Sequence, residues 1–181
     1  MSPPNWPSNV HYISACSYHS SVSARTRTLL AQGSQTAAAS LSNKPCRVLI
    51  RRISESGHPA AGQFGLFAAK KIPATRHIVD YVGEIHCDDR CESDYDLSLF
   101  RNNEVSVGID ASDMGNEARF VNDYRGISDK PNAVFVDFKA LSGELRMRVD
   151  SVCEIKKGEE ILVSYGKAWW RARKLEVDPE L

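Results

Sequence analysis

Residues 115–132 read GNEARFVNDYRGISDKPN, and their texture decides how the rest of the chain is understood. The apolar pair Phe120-Val121 runs into Asn122-Asp123, a polar loop follows, and Pro131-Asn132 opens a second apolar run at Ala133. Asn and Asp are depleted from strands, and a buried amide needs partners for every polar atom. An ordinary surface loop needs neither an Asn closing a buried run nor a bulky Tyr124 beside it. The segment reads as a place where a polar group is held.

Outward from this stretch the chain is a series of short β-like runs. Ala133 to Phe138 (AVFVDF) alternates, and Leu145, Met147 and Val149 alternate with Arg146, Arg148 and Asp150, the pattern of a half-buried strand. Leu141-Ser142-Gly143 joins the two as a hairpin. Arg47 to Ile50 precedes a Ser-Gly-Pro loop, His77 to Ile85 (HIVDYVGEI) is β-branched and aromatic, and Lys156-Lys157-Gly158-Glu159 turns into Glu160 to Val163. Helical spacing is expected only over 89–100, in a turn near 113–118, and around Trp169. A mainly β fold of short strands with few short helices follows.

The 181 residues carry 23 Lys plus Arg and 23 Asp plus Glu, but the charges are segregated. Residues 1–54 hold Arg25, Arg27, Lys44, Arg47, Arg51 and Arg52 and no acid, leaving a balance of −6 over the remainder. Asp88, Asp89, Glu92, Asp94 and Asp96 crowd one stretch, which favours a basic partner and disfavours nucleic acid. Residues 1–43, rich in Ser, Ala, Thr and Pro, read as a disordered N-terminal extension; the same composition also suits a mitochondrial transit peptide. No apolar run approaches the roughly 20 residues that span a bilayer, so no membrane is expected. The five cysteines are scattered and odd in number, as in reduced intracellular proteins. His86, Cys87 and Cys91 have no second ligand pair at finger-like spacing, so no metal site is expected. No Gly-x-Gly-x-x-Gly turn opens a helix, and His11, His19, His58, His77 and His86 lie without a Ser or Cys nucleophile pattern.

Four motifs occur in order: Gln63-Phe64-Gly65-Leu66-Phe67-Ala68, Tyr81-Val82-Gly83-Glu84, the block Ile109-Asp110-Ala111 with Gly115 to Asn122, and Gly158 to Gly166 ending in Tyr165-Gly166. Together they resemble the SET domain of protein lysine methyltransferases. That family shows a Gly-x-Gly turn, Tyr-x-Gly-Glu, an Ile-Asp-Ala and Gly-Asn-x-Ala-Arg-Phe-x-Asn-His block ending in Pro-Asn, and Gly-Glu-Glu-Leu before a terminal Tyr-Gly. The resemblance covers about residues 45–167, giving a SET-like domain over 44–168 and a tail over 169–181.

The resemblance implies a SET fold in which the Asn122 segment threads the loop of the last motif, and an enzyme that uses S-adenosylmethionine. It implies that Tyr165 is the catalytic tyrosine and that Tyr81 lines the lysine channel with it. Phe64, Gly65, Leu66, Asn122 and Asp123 would contact the cofactor, and Tyr95, Tyr124 and Val163 the substrate. Val163 stands where the family often has an aromatic that limits methylation. Arg119 and Phe120 are expected to be structural. Three departures stand out: Asp123 replaces the His, Gln63 stands at the first Gly, and the loop to Pro131 is lengthened. No Cys follows Cys153 to build the zinc cluster the family commonly adds. A short helix in Trp169-Trp170-Arg171 would instead fold Trp169 over the cofactor or pack it as a plug. The expected protein is a monomeric lysine methyltransferase of a basic segment such as a histone tail, nuclear or cytoplasmic. The alternative is an inactive SET-like module that binds a peptide or protein partner.

Overall fold

The structure, a computed structural model, describes residues 2–32, 46–140, 142–166 and 169–170. In chain order they form β1 (His11–Tyr12), β2 (Ser17–Tyr18), helix α1 (Ala24–Gln32), β3 (Val48–Arg52) and β4 (Phe64–Ala68). Next come β5 (His77–Tyr81), β6 (Glu84–His86), β7 (Asp96–Arg101), β8 (Ser106–Asp110) and β9 (Met114–Gly115). A 3-10 turn over Glu117–Phe120 precedes β10 (Asn122–Asp123), followed by β11 (Ala133–Lys139), β12 (Leu145–Ser151) and β13 (Leu162–Val163).

The strands group into small sheets: β11-β12-β5, β2-β6-β8-β7 and the hairpin β3-β4, with two parallel pairs, β1-β9 and β10-β13. The expected hairpin is present, in register from Ala133 against Ser151 to Lys139 against Leu145. The half-buried reading of β12 needs a correction. β12 is the central strand, and Arg148 on its polar face is buried, pairing with Asp150 and lying over the Phe138 ring. Ile78, Ile85, Val107, Ile109, Val149 and Ile161, fully buried, knit the sheets into one core.

The helix expected over 89–100 is absent. Asp96–Arg101 is β7, set antiparallel to β8 with Leu97 opposite Ile109. Here pairing with a buried strand overrides a local helical spacing.

Residues 2–32 are not the disordered extension that composition suggested. β1 adds to β9 and β2 to β6, both in parallel. Asn5 Nδ2 donates to the Ile50 carbonyl at 2.8 Å, and the Trp6 ring meets Phe120 edge-on at 5.6 Å. The Tyr18 hydroxyl donates to Glu144. Helix α1 starts on Ser23, whose hydroxyl accepts the Thr26 amide, and it buries Thr26 and Leu30, with Val22 just ahead, on one stripe. Val22, Thr26 and Leu30 fall four residues apart, one face of a helix. The linker 33–45 lies outside the described residues.

Gly83, in the Tyr-x-Gly-Glu motif, faces the backbone of β8. A Cβ there would stand 2.3 Å from the Asp110 carbonyl oxygen, and backbone has no rotamer with which to yield. Gly83→Ala is expected to destabilise the fold by about 1–3 kcal/mol or more, read as a lowered midpoint in urea. An unchanged midpoint would contradict this packing.

Candidate active site

The parallel pair β10-β13 builds the site. Asn122 stands opposite Leu162 and Asp123 opposite Val163. Asn132 fastens the far end of the loop: its Nδ2 donates to the Glu160 carbonyl, and its Oδ1 accepts the Leu162 amide, each at 2.8 Å. The Pro-Asn at the loop's end is therefore a clamp. It returns the chain to the last motif and holds residues 122–124 against residues 162–165.

Two cavities open beside this pair. The first, of about 640 Å³, is walled by Val10, the loop from His58 to Phe64, Phe120, Asn122 and Asp123. The second, of about 450 Å³, is walled by Tyr81, Tyr95, Phe135 and Val121 and carries Asp94 and Asp96. Tyr165, Tyr95, Arg119, Asp94 and Trp169 border both, so the cavities meet around the Tyr165 ring.

Tyr165 is held from both ends. Its hydroxyl donates to the Val121 carbonyl at 2.7 Å, and its backbone amide donates to Asp123 Oδ2 at 2.8 Å. Burial, and after it the negative charge of Asp123, raises the phenol's pKa, so the hydroxyl stays protonated. The Tyr81 hydroxyl donates to the Tyr95 carbonyl at 2.7 Å, and burial raises that phenol well above its usual value. Both phenols are fixed donors that keep a lone pair free.

Asp123 does not present a bare charge. Besides the Tyr165 amide it accepts the Arg125 amide at 2.9 Å, the Arg125 guanidinium at 2.8 Å and the Trp170 indole N–H at 3.2 Å. Burial disfavours its charged form, but these donors prevail and hold the carboxyl below its ordinary range. The Asp that stands at the family's His position thus comes with its own neutralising set, and Asp123 ties β10 to Tyr165 and Trp170. Trp169 meets the Tyr165 ring edge-on at 4.9 Å.

Several residues named from the sequence are therefore brought together: Phe64, Asn122, Asp123 and Trp169 on the first cavity, and Tyr81, Tyr95 and Tyr165 on the second. Others are not. Val163 and Leu66 are fully buried in the core, Gly65 is buried beneath Glu160, and the Tyr124 ring lies under Arg125; none of the four borders either cavity. Val163 lies in a run that is buried throughout, Ile161-Leu162-Val163, so its side chain belongs to the core. Arg119 is structural, donating to the Ala111 and Ser112 carbonyls, yet its guanidinium also covers the Tyr95 ring at 4.1 Å and forms the partition between the cavities. Sequence reasoning missed Phe135, His58, Arg125 and the wall supplied by Val10. Phe135 alone had a signal, an aromatic in a strand following the Pro-Asn clamp.

This fold and site define a SET domain, and the chain belongs to the SET-domain family, whose model matches residues 63–166. Among relatives, the histone-lysine N-methyltransferase EZH2 of Chaetomium thermophilum is 28% identical over 116 residues, 57% of this chain and 7% of that protein. The Chaetomium thermophilum Polycomb Repressive Complex 2 bound to GSK126 matches with a TM-score of 0.58 at 22% identity, covering 75% of this chain and 18% of that one. The same complex in an autoinhibited conformation bound to S-adenosylmethionine matches with a TM-score of 0.56 at 24% identity, covering 75% and 17%. These structures bear on the fold; the chain spans less than a fifth of each relative's length. They were solved as a complex, so the expectation of a monomer finds no support in them.

Proposed function

We propose that this protein is an S-adenosylmethionine-dependent protein lysine N-methyltransferase that acts on a basic segment of the histone-tail kind, in the nucleus and with partner proteins. The observation that carries the reading is the meeting of the two cavities at Tyr165. The first has the size of a cofactor site and mixes aromatic surface with an amide and backbone. The second has the aromatic walls that hold an alkylated ammonium, and its carboxylates Asp94 and Asp96 stand among Arg90, Arg101 and Arg119.

Bound in the first cavity, S-adenosylmethionine supplies a methyl group on a sulfonium. The remaining requirements fall on the protein. A lysine amine has a pKa of about 10.4 and has no lone pair when charged. Asp94 and Asp96 offset the guanidiniums of Arg90, Arg101 and Arg119 around the second cavity, and removal from water there disfavours the ammonium, so the proton leaves to water. The hydroxyls of Tyr165 and Tyr81 already donate to carbonyls, so their oxygens accept from the amine N–H groups and aim the nitrogen lone pair along the line between the cavities. Alignment of this kind supplies much of the rate where no covalent enzyme intermediate forms. Since the Tyr165 and Tyr81 phenols stay protonated, the rate should rise with pH along the amine's own ionisation.

The binding-only alternative rested on Asp123, Gln63, the lengthened loop and the missing zinc cluster; of these, the charge of Asp123 is satisfied within the fold. The test is transfer of labelled methyl to lysine-bearing basic peptides and to histone proteins, located by mass spectrometry. Label on lysine is expected. Tight cofactor binding without label on any lysine, including the protein's own, would favour the binding module.

A further inference from the structure

His58 lies in the loop between β3 and β4, pinned at its base where the Gly62 amide donates to Ile53 and the Ile53 amide to Gln63. Its Nδ1 accepts the Ala60 amide at 3.0 Å, which places the ring proton on Nε2. Nε2 then donates to Glu160 Oε2 at 3.0 Å, and both side chains are only 9% exposed. The other carboxylate oxygen, Oε1, accepts Asn122 Nδ2 at 2.8 Å. The same Asn122 nitrogen reaches the Phe64 carbonyl at 3.4 Å. Glu160 has room in this position because residue 65 is glycine: a Cβ there would sit 2.5 Å from Oε1.

These contacts fix which way the Asn122 amide faces. Both of its N–H groups are directed at acceptors behind the wall, so its carbonyl oxygen is the atom turned to a ligand. His58 and Asn122 both border the first cavity, while Glu160 joins them from behind. Without the histidine donor, the carboxylate keeps Asn122 as a partner but loses the contact that holds it in place. The loop from His58 to Gln63, a long stretch of the cavity wall, loses its tie to the β13 side as well.

We propose that His58 is a positioning residue of the cofactor site. It acts through Glu160 to present the Asn122 carbonyl oxygen to an N–H donor on the ligand and to hold the loop wall closed. This rests on the reading of the first cavity as the cofactor site. The test uses the full chain with His58→Ala and His58→Gln, the second keeping a side-chain donor. His58→Ala is expected to weaken S-adenosylmethionine binding about tenfold, the loss of one hydrogen bond to a charged group, with kcat changed less than about twofold. His58→Gln is expected to restore most of the affinity. A second readout needs no cofactor: the Asn122 side-chain amide signals in nitrogen-15 NMR should move in His58→Ala and stay in His58→Gln. Failure of the wild-type chain to bind the cofactor would reject the proposed function, and the amide signals would still decide the His58 link. Unmoved signals, or unchanged affinity in a binding-competent protein, would overturn the proposal.

Discussion

Tyr165→Phe should reduce methyl transfer about a hundredfold or more while leaving cofactor affinity within about twofold. The hydroxyl is the one atom lost, and it lies where the two cavities meet. Unfolding does not account for such a loss. The bond to the Val121 carbonyl contributes about 0.5–1.5 kcal/mol, a minor part of an ordinary fold's stability. The tie to Asp123 comes from the backbone of Tyr165 and survives the change. Separate measurements of transfer rate and of cofactor binding check the prediction. A variant that keeps full rate would remove Tyr165 from the chemistry.

Asp123→Ala should destabilise the protein by about 1–3 kcal/mol, the usual consequence of leaving buried donors without their acceptor. Four donors converge on this carboxylate: the amides of Tyr165 and Arg125, the Arg125 guanidinium and the Trp170 indole. The carboxylate itself is buried. The pH dependence follows from the same contacts. The folded-state pKa lies below the unfolded value of about 3.9, so this stabilisation is present above about pH 4 and is lost as pH falls through the folded pKa. Urea titrations at neutral pH and near pH 3 should therefore show the gap between wild type and variant narrowing in acid. A gap that stays constant would mean that the contribution of Asp123 does not depend on its charge.

The parts of the molecule legible in the sequence are those where local chemistry dictates the outcome. The β11-β12 hairpin announced itself by alternation, and Gly83 by a motif whose backbone approach excludes a Cβ. The region around Asn122 was visible as a polar break in an apolar run, and Asn132 proved to be its clamp. What was not legible depends on partners distant in sequence. β7 looked helical until β8 paired with it. The N-terminal segment shows no sustained hydrophobic period, yet Trp6 finds Phe120 and Tyr18 finds Glu144 more than a hundred residues away. Val163 was assigned to the substrate by position in a motif, but it sits in the core with Ile161 and Leu162. His58 had no motif at all; its place follows from a loop that returns to Glu160, 102 residues later.

The central claim is that the first cavity is a cofactor site governed by Asn122, and calorimetric titration of S-adenosylmethionine into the full chain tests it without any guess about substrate. One-to-one binding in the micromolar range, about 8 kcal/mol, that is lost in a folded Asn122→Ala variant is the predicted result. No heat of binding at about millimolar cofactor, where roughly 4 kcal/mol or less would remain, in a protein shown to be folded would contradict it.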